Sequence, residues 1–335
     1  MTLSEQRLIM ISWPDFVAAI HAHQRFLLTS HVRPDCDALG SELGMAGVLE
    51  RLGKEVVIVN GQATPPNIAF IDPTRRIRTI GVDIQPADLQ TIEMVMILDT
   101  SAWVQLGPMA DVIRSLPAKR MVLDHHVSED ELGAALFKNT KAEATGRLVV
   151  EAAEHLGVEL TPEIATPLFA AVATDTGWFR FGSATGFTYR TGAKLIDAGA
   201  SPAGIYQSLY EQETLGRVLL RGKILTHIQV EQDGRLAHTF VSRDDFERTG
   251  ALPSDTEDVV NQLFGIAGTE VAVILVEQPK GGFKISFRSR GKVDCSALAA
   301  TFGGGGHKAA AGAMIAGSLE QAQPIVLDAV RAAMR

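Results

Sequence analysis

Short apolar runs alternate with helix-patterned stretches through residues 1–190, and this alternation restricts the fold more than any other feature of the chain. The runs are 25–30 (RFLLTS), 55–60 (EVVIVN), 94–98 (MVMIL) and 120–123 (RMVL). Helical patterns lie at 37–52, about 108–116 and 143–156. In the first of these, Leu39, Leu43, Ala46, Val48, Leu49 and Leu52 recur near a helical period, and Gly53 supplies a stop. Strands this short, separated by helices, predict βαβ units and an α/β domain: a parallel sheet with helices on both faces.

The pattern changes after residue 190. A helical connector is expected over 191–221, and a smaller α+β domain over 222–335. HIQVEQDGRLAHTFVS reads as a hairpin turning at Asp233-Gly234. A helix around 256–267 follows, then strands VAVILVEQ and FKISFRSR about a Lys280-Gly281-Gly282 turn. Ser296–Phe302 is expected to be helical, GGGG a loop, and AAAGAMI a last strand. The 335 residues allow about two domains.

A net charge of -8 argues against a protein that coats long nucleic acid. Basic residues gather locally, however, at Lys280, Lys284, Arg288, Arg290, Lys292 and Lys308, with Asp294 the acid among them. That stretch is a candidate anion site. No apolar run approaches the ~20 residues that span a bilayer, so no membrane partner is expected. The start, MTLSEQRLIMISWPDF, lacks the pattern of a secretory leader, and Cys36 and Cys295 make no disulfide framework. A reducing cytoplasm is the expectation.

Three of the apolar runs and a later apolar segment share an ending. RFLLTS leads into HVRPDCD, with His31, Asp35 and Asp37; Pro34 bars a helix through that loop. MVMIL ends on Asp99, RMVL on Asp124, His125 and His126, and PLFAAVAT on Asp175. A carboxylate in an apolar surround is costly unless it is paired or binds a cation. Imidazoles and carboxylates without thiolates suit borderline to hard divalent ions. Asp37 also reads as a helix cap and Asp124 as a strand-end cap. His21, His23, His155, His227 and His238 have no partner at ligand spacing and read as surface residues.

HVRPDCDALGS, LDTS, LDHH and TDTGWFRF resemble, in order, the four motifs of the DHH phosphoesterase superfamily. FRSRGKVDCSALAATFGGGGHKAAAGA resembles its DHHA1 companion domain. The combination is similar to the NrnA-type group of oligoribonucleases and 3'-phosphoadenosine 5'-phosphate phosphatases. RecJ-like exonucleases usually carry more domains, and family II pyrophosphatases lack the GGGGH signature.

The resemblance implies two divalent metal ions, Mn2+ first, with Mg2+ or Co2+ as alternatives. One would be held by His31, Asp35 and Asp99, the other by Asp37, Asp99, His125 and Asp175. Four aspartates then balance two dications, and such a pair activates water for in-line attack on phosphorus. Asp124 would orient a histidine or a metal-bound water, and His126 would face the substrate. Arg180 would reach phosphate.

In the second domain, Gly304, Gly305 and Gly306 would offer backbone N–H groups to a phosphate, with His307 and Arg288 adding charge. The implied substrates are short single-stranded RNA, dinucleotides such as pGpG or pApA, and adenosine bisphosphate. A cyclic-dinucleotide phosphodiesterase is a second reading within the class, and a nucleotide-binding module without catalysis a reading outside it. Relatives of this kind also imply a homodimer. Trp178 and Phe179 could stack on a base, but core packing is the better fit. Trp103, where a more polar residue is expected, puts a substrate contact after Asp99 in doubt.

Overall fold

The computed structural model describes residues 11–127, 130–256 and 259–335. The expected start of the chain therefore lies largely outside the described residues. Six parallel strands form the first sheet: β1 (Arg25–Thr29), β2 (Glu55–Asn60), β3 (Ile77–Thr79), β4 (Met94–Leu98), β5 (Lys119–Asp124) and β6 (Ala135–Lys138). Their order is β3-β2-β1-β4-β5-β6. The chain leaves β1 toward one edge and β4 toward the other, so these neighbours flank a topological switch point.

Side-chain alternation splits the sheet between two cores. Phe26, Leu28, Met96 and Leu123 enter one, beneath α1 (Trp13–His21), α2 (Cys36–Arg51), α4 (Thr145–His155) and α5 (Pro162–Asp175). Leu27, Val95, Ile97 and Val122 enter the other, beneath α3 (Met109–Ser115). Helices α6 (Gly186–Asp197) and α7 (Pro202–Tyr210) pack on α5.

Helix α5 carries no legible period because it is buried nearly all round, and Pro167 sits inside it. It packs hard on α2: a Cβ built on Gly40 would lie 2.4 Å from the Pro167 carbonyl oxygen. Strands β3 and β6 are too short for alternation to show.

The chain divides into two compact units between Glu211 and Gln212. Of the segment expected as a connector, α6 and α7 belong to the first unit. α8 (Leu215–Thr226) belongs to the second, where Leu220 and Ile224 join a core of that unit.

The second sheet runs β11-β12-β10-β9-β8-β7. It comprises β7 (Gln229–Glu231), β8 (Leu236–Val241), β9 (Val271–Glu277), β10 (Phe283–Ser289), β11 (Gly305–Gly306) and β12 (Ala310–Ile315). Only β8 and β9 pair in parallel among these strands. The helices are α9 (Arg243–Thr249), α10 (Val259–Gln262), α11 (Cys295–Ala300) and α12 (Leu319–Ala333). The helix expected over 256–267 is the short α10 with 3-10 turns beside it, and 257–258 lie outside the described residues.

His238 is a correction to the sequence reading: it is 1% exposed, not a surface residue. Its position on β8 points inward, and its Nε2 lies 3.1 Å from Glu231, which Arg331 also binds. No described helix is long and apolar enough to cross a membrane.

Candidate metal centre

The candidate ligands meet at the switch point, above the carboxyl ends of β1, β4 and β5. His31 follows β1 and Asp99 follows β4, while β5 ends at Asp124 and delivers His125 and His126 just beyond. The apolar segment before Asp175 is a helix: Asp175 is the last residue of α5. Asp35, not Asp37, caps α2, accepting the N–H groups of Asp37 and Ala38 at 3.0 Å each. Asp37 lies in the first turn and points into the cluster, where it is 1% exposed.

Asp99 is the hub. His31 Nε2 lies 3.3 Å from its Oδ2, and His125 Nε2 lies 3.4 Å from its Oδ1. His125 Nε2 also lies 3.7 Å from Asp37 and 3.6 Å from Asp175. Three sets have ligand atoms within 4.8 Å of one another: His31, Asp35, Asp99; Asp37, His125, Asp175; and Asp99, His125, His126. Asp99 adopts φ 61, a left-handed conformation unfavourable for a residue with a Cβ. Strain of that kind persists where the surroundings hold it, and here the Asp99 N–H donates to Leu123 O at 3.1 Å.

The donor set fits divalent cations on its own geometry. His31 Nδ1–H donates to Val32 O at 3.0 Å and His125 Nδ1–H to Ala142 O at 3.1 Å. A carbonyl only accepts, so each Nδ1 carries a proton and each Nε2 is turned toward the carboxylates, where it donates to Asp99 and would offer a lone pair to a cation that displaces its proton. Crowded charge is visible as well. Burial, then the neighbouring Asp99, pushes Asp37 well above the usual carboxylate range. Burial likewise raises Asp175 to about 6. Burial opposes charge on the imidazoles, but hydrogen bonding to Asp99 overrides it and raises His31 to about 9 and His125 to about 10. Positive charge is what this cluster draws in. Burial pushes the Cys36 thiol up to about 12, so it stays neutral beside the site.

Several residues at the site carried no sequence signal. Thr145 and Gly146, at the start of α4, donate backbone N–H to Asp37 at 2.7 and 2.8 Å, and Thr145 Oγ1 donates to Asp99 at 2.9 Å. A threonine-glycine pair opening a helix was the available clue. Asp124 is fully buried and accepts from His126 Nδ1 at 2.9 Å and from Ser101 Oγ at 2.7 Å. Lys138 Nζ lies 3.4 Å from the same carboxylate. His126 is thus held by its Nδ1, and its side chain is 46% exposed. Trp103 packs against the Arg114 guanidinium, 4.1 Å from its ring centroid. Arg180 is exposed, its Nε donating to Gly177 O at 2.7 Å.

The glycine run of the second unit is partly a pairing device. Gly305 and Gly306 form β11 opposite Gly312 and Ala311, and a Cβ on Gly304 would lie 2.2 Å from Gly312 O. The Gly304 N–H is taken by Ala299 O at 2.9 Å, so the free donor expected there is engaged in the fold. Arg288 stands opposite Ala310 on β12, and His307, exposed, donates its N–H to Ala310 O at 2.8 Å. Arg288 and His307 therefore sit at the same end of that sheet.

Known proteins are similar to this chain in sequence and in fold. Residues 25–172 match the model of the DHH family, N-terminal domain, and residues 233–335 that of the DHHA1 domain. The bifunctional oligoribonuclease and PAP phosphatase NrnA of Thermus thermophilus is 33% identical over 91% of this chain and 88% of its own. The Bacillus subtilis protein of the same name is 29% identical over 94% and 96%. The crystal structure of an exopolyphosphatase-related protein from Bacteroides fragilis superposes with a TM-score of 0.79 at 25% identity, covering 96% of this chain and 95% of that one. Together the fold, the cluster and these relatives define a phosphoesterase, a hydrolase of phosphoric esters. The chain belongs to the DHH/DHHA1 family.

Proposed function

We propose that this phosphoesterase uses two divalent cations, Mn2+ first, to hydrolyse short RNA oligonucleotides, dinucleotides such as pGpG or pApA included, and to remove phosphate from 3'-phosphoadenosine 5'-phosphate. The observation that carries the reading is the convergence of His31, Asp35, Asp37, Asp99, His125 and Asp175 about one buried aspartate, with both ligand imidazoles turned inward. The NrnA relatives bear both activities in their names.

His31, Asp35 and Asp99 would hold one cation, and Asp37, Asp99, His125 and Asp175 the other. When bound, such a pair supplies Lewis acidity and a nucleophile at neutral pH. The chain does the rest. Thr145 and Gly146 fix Asp37 and Asp99 in orientation. Asp124 engages Nδ1 of His126, which leaves Nε2 to meet a phosphoryl or leaving oxygen. Arg288 would supply positive charge, and His307 a hydrogen bond, for a second phosphate of the substrate, in the role proposed for residues 222–335. Arg180 is a further phosphate contact from residues 1–190.

The test is release of mononucleotide from a 5'-phosphorylated dinucleotide, and of phosphate from adenosine bisphosphate, in added Mn2+ and in EDTA. Turnover in the first and none in the second is expected. Asp99→Asn should lower kcat at least about a thousandfold, on the scale of losing a principal electrostatic group, with metal content falling in parallel. Failure of every dinucleotide and bisphosphate in Mn2+ overturns the proposal.

A further inference from the structure

A cavity of about 550 Å3 opens beside the first ligand set and lies wholly within the first unit. Its size falls within the usual range of ligand pockets, about 300–1,000 Å3. Asp35, a member of the His31–Asp35–Asp99 set, forms part of the wall. The rest includes Arg33, Gln62, Asn67 and Tyr210. Nothing in the metal chemistry uses these four.

Their arrangement is specific. Arg33 adopts φ 55, and its backbone N–H donates to Gln62 Oε1 at 2.6 Å. That bond fixes the Gln62 carboxamide by its oxygen and leaves its Nε2 without a protein partner among the described residues. The Asn67 carboxamide and the Arg33 guanidinium are likewise unpartnered among the described residues. Tyr210, 47% exposed, is backed by a tilted Tyr206 ring at 4.9 Å and edge-on by Trp178 at 5.8 Å between ring centroids. Trp178 and Phe179 both sit at positive φ, 61 and 62, directly after the α5 end that carries Asp175. Two consecutive left-handed residues with side chains are costly, and such strain gathers at functional sites. Here it swings the Trp178 ring behind the tyrosines from the same turn that places a candidate ligand.

An aromatic face, in-plane carboxamide donors and acceptors and a guanidinium are the chemistry that grips a nucleobase: stacking on the ring, hydrogen bonds to the base edge. We propose that the cavity walled by Arg33, Gln62, Asn67 and Tyr210 is a nucleobase subsite, taking the base of the nucleotide whose phosphate lies at the His–Asp cluster. The inference rests on the phosphoesterase reading for the position of that phosphate. It adds that the metal-bearing unit itself reads the nucleoside.

The test compares binding of adenosine 5'-monophosphate and ribose 5-phosphate to the Mn2+-supplemented protein by calorimetry, with dinucleotide turnover measured on the same sample. The wild type should bind the nucleotide at least about tenfold more tightly than the sugar phosphate, the scale of one base stack. Tyr210→Ala and Gln62→Ala should erase most of that preference, and Tyr210→Phe should restore it. Circular dichroism of each variant guards against misfolding, and Gln62, an exposed residue, is the safer substitution. No preference for the base in the wild type, or a preference untouched in both alanine variants, overturns the subsite. In that case dinucleotide turnover leaves the phosphoesterase reading standing. A base preference lost in the variants without turnover in the wild type supports the subsite and sinks the reading.

Discussion

Asn60, at the end of β2, ties together the loop that carries His31. Its Oδ1 accepts the Ser30 N–H at 3.1 Å and Thr29 Oγ1 at 3.3 Å, and its Nδ2 donates to Glu42 Oε2 at 2.9 Å. Glu42 is fully buried, and burial raises its pKa from 4.5 to about 7. A carboxyl that holds its proton more tightly when folded stabilises the fold below its unfolded pKa. That advantage is lost as pH rises through the folded value. The window is therefore about pH 4.5 to 7. In EDTA, Glu42→Gln, which keeps an acceptor for Asn60, should match the wild type near the bottom of that window. Above pH 7 it should be the more stable, by on the order of 3 kcal/mol. Urea titrations across the window measure this, and a difference independent of pH would refute it. Glu42 was illegible in the sequence because it lies inside a helical pattern, and Asn60 because a carboxamide that ends an apolar run reads as a turn residue. His31, Asp99, His125 and Asp175 stood out because each is a polar residue where an apolar run stops. Lys138 was illegible for the opposite reason: a lysine reads as solvent-facing, and this one is 2% exposed beside Asp124.

Helices α2 and α5 bring Asp37 and Asp175 to one imidazole, and their separation is set by residues without side chains. At Gly40 a methyl would meet the Pro167 carbonyl, which is backbone and cannot swing aside. Gly40→Ala should push the helices apart and destabilise the protein by about 1–3 kcal/mol, the usual cost of overpacking. It should also weaken Mn2+ binding several-fold, since Asp37 and Asp175 ride on opposite sides of the contact. Unchanged Mn2+ affinity in a folded Gly40→Ala protein would show that the helix spacing does not tune the site. At this scale the sequence was legible where elements expose one face. The four apolar runs are β1, β2, β4 and β5, and α2 showed its period. Helix α5 did not, being buried nearly all round, and α1 and α12 carry none of the motifs.

Each unit has buried cores of its own: two clusters end by Ile205, one starts at Leu220 and one at Leu236. Every candidate ligand belongs to the first unit, as does the cavity beside it, while Arg288, His307 and the glycine run belong to the second. The two-part organisation was legible from the change of pattern along the chain, but the boundary was not. α7 and α8 look alike as amphipathic helices, and only packing assigns one to each unit. A unit that buries its own apolar surface has the means to fold alone. Residues 1–211, expressed without the remainder, should fold cooperatively and bind Mn2+ within about threefold of the whole chain, because no ligand has been removed. Turnover of dinucleotides should fall by at least about tenfold, because a second phosphate loses the charge-assisted bonds that Arg288 and His307 would make. Adding back 212–335 as a separate chain should restore little, since the shared backbone supplies an effective concentration in the millimolar range that mixing at micromolar protein cannot. Mn2+ binding that disappears from a folded 1–211 fragment would mean that the second unit contributes to the metal centre, and the division of labour between the units would have to be redrawn.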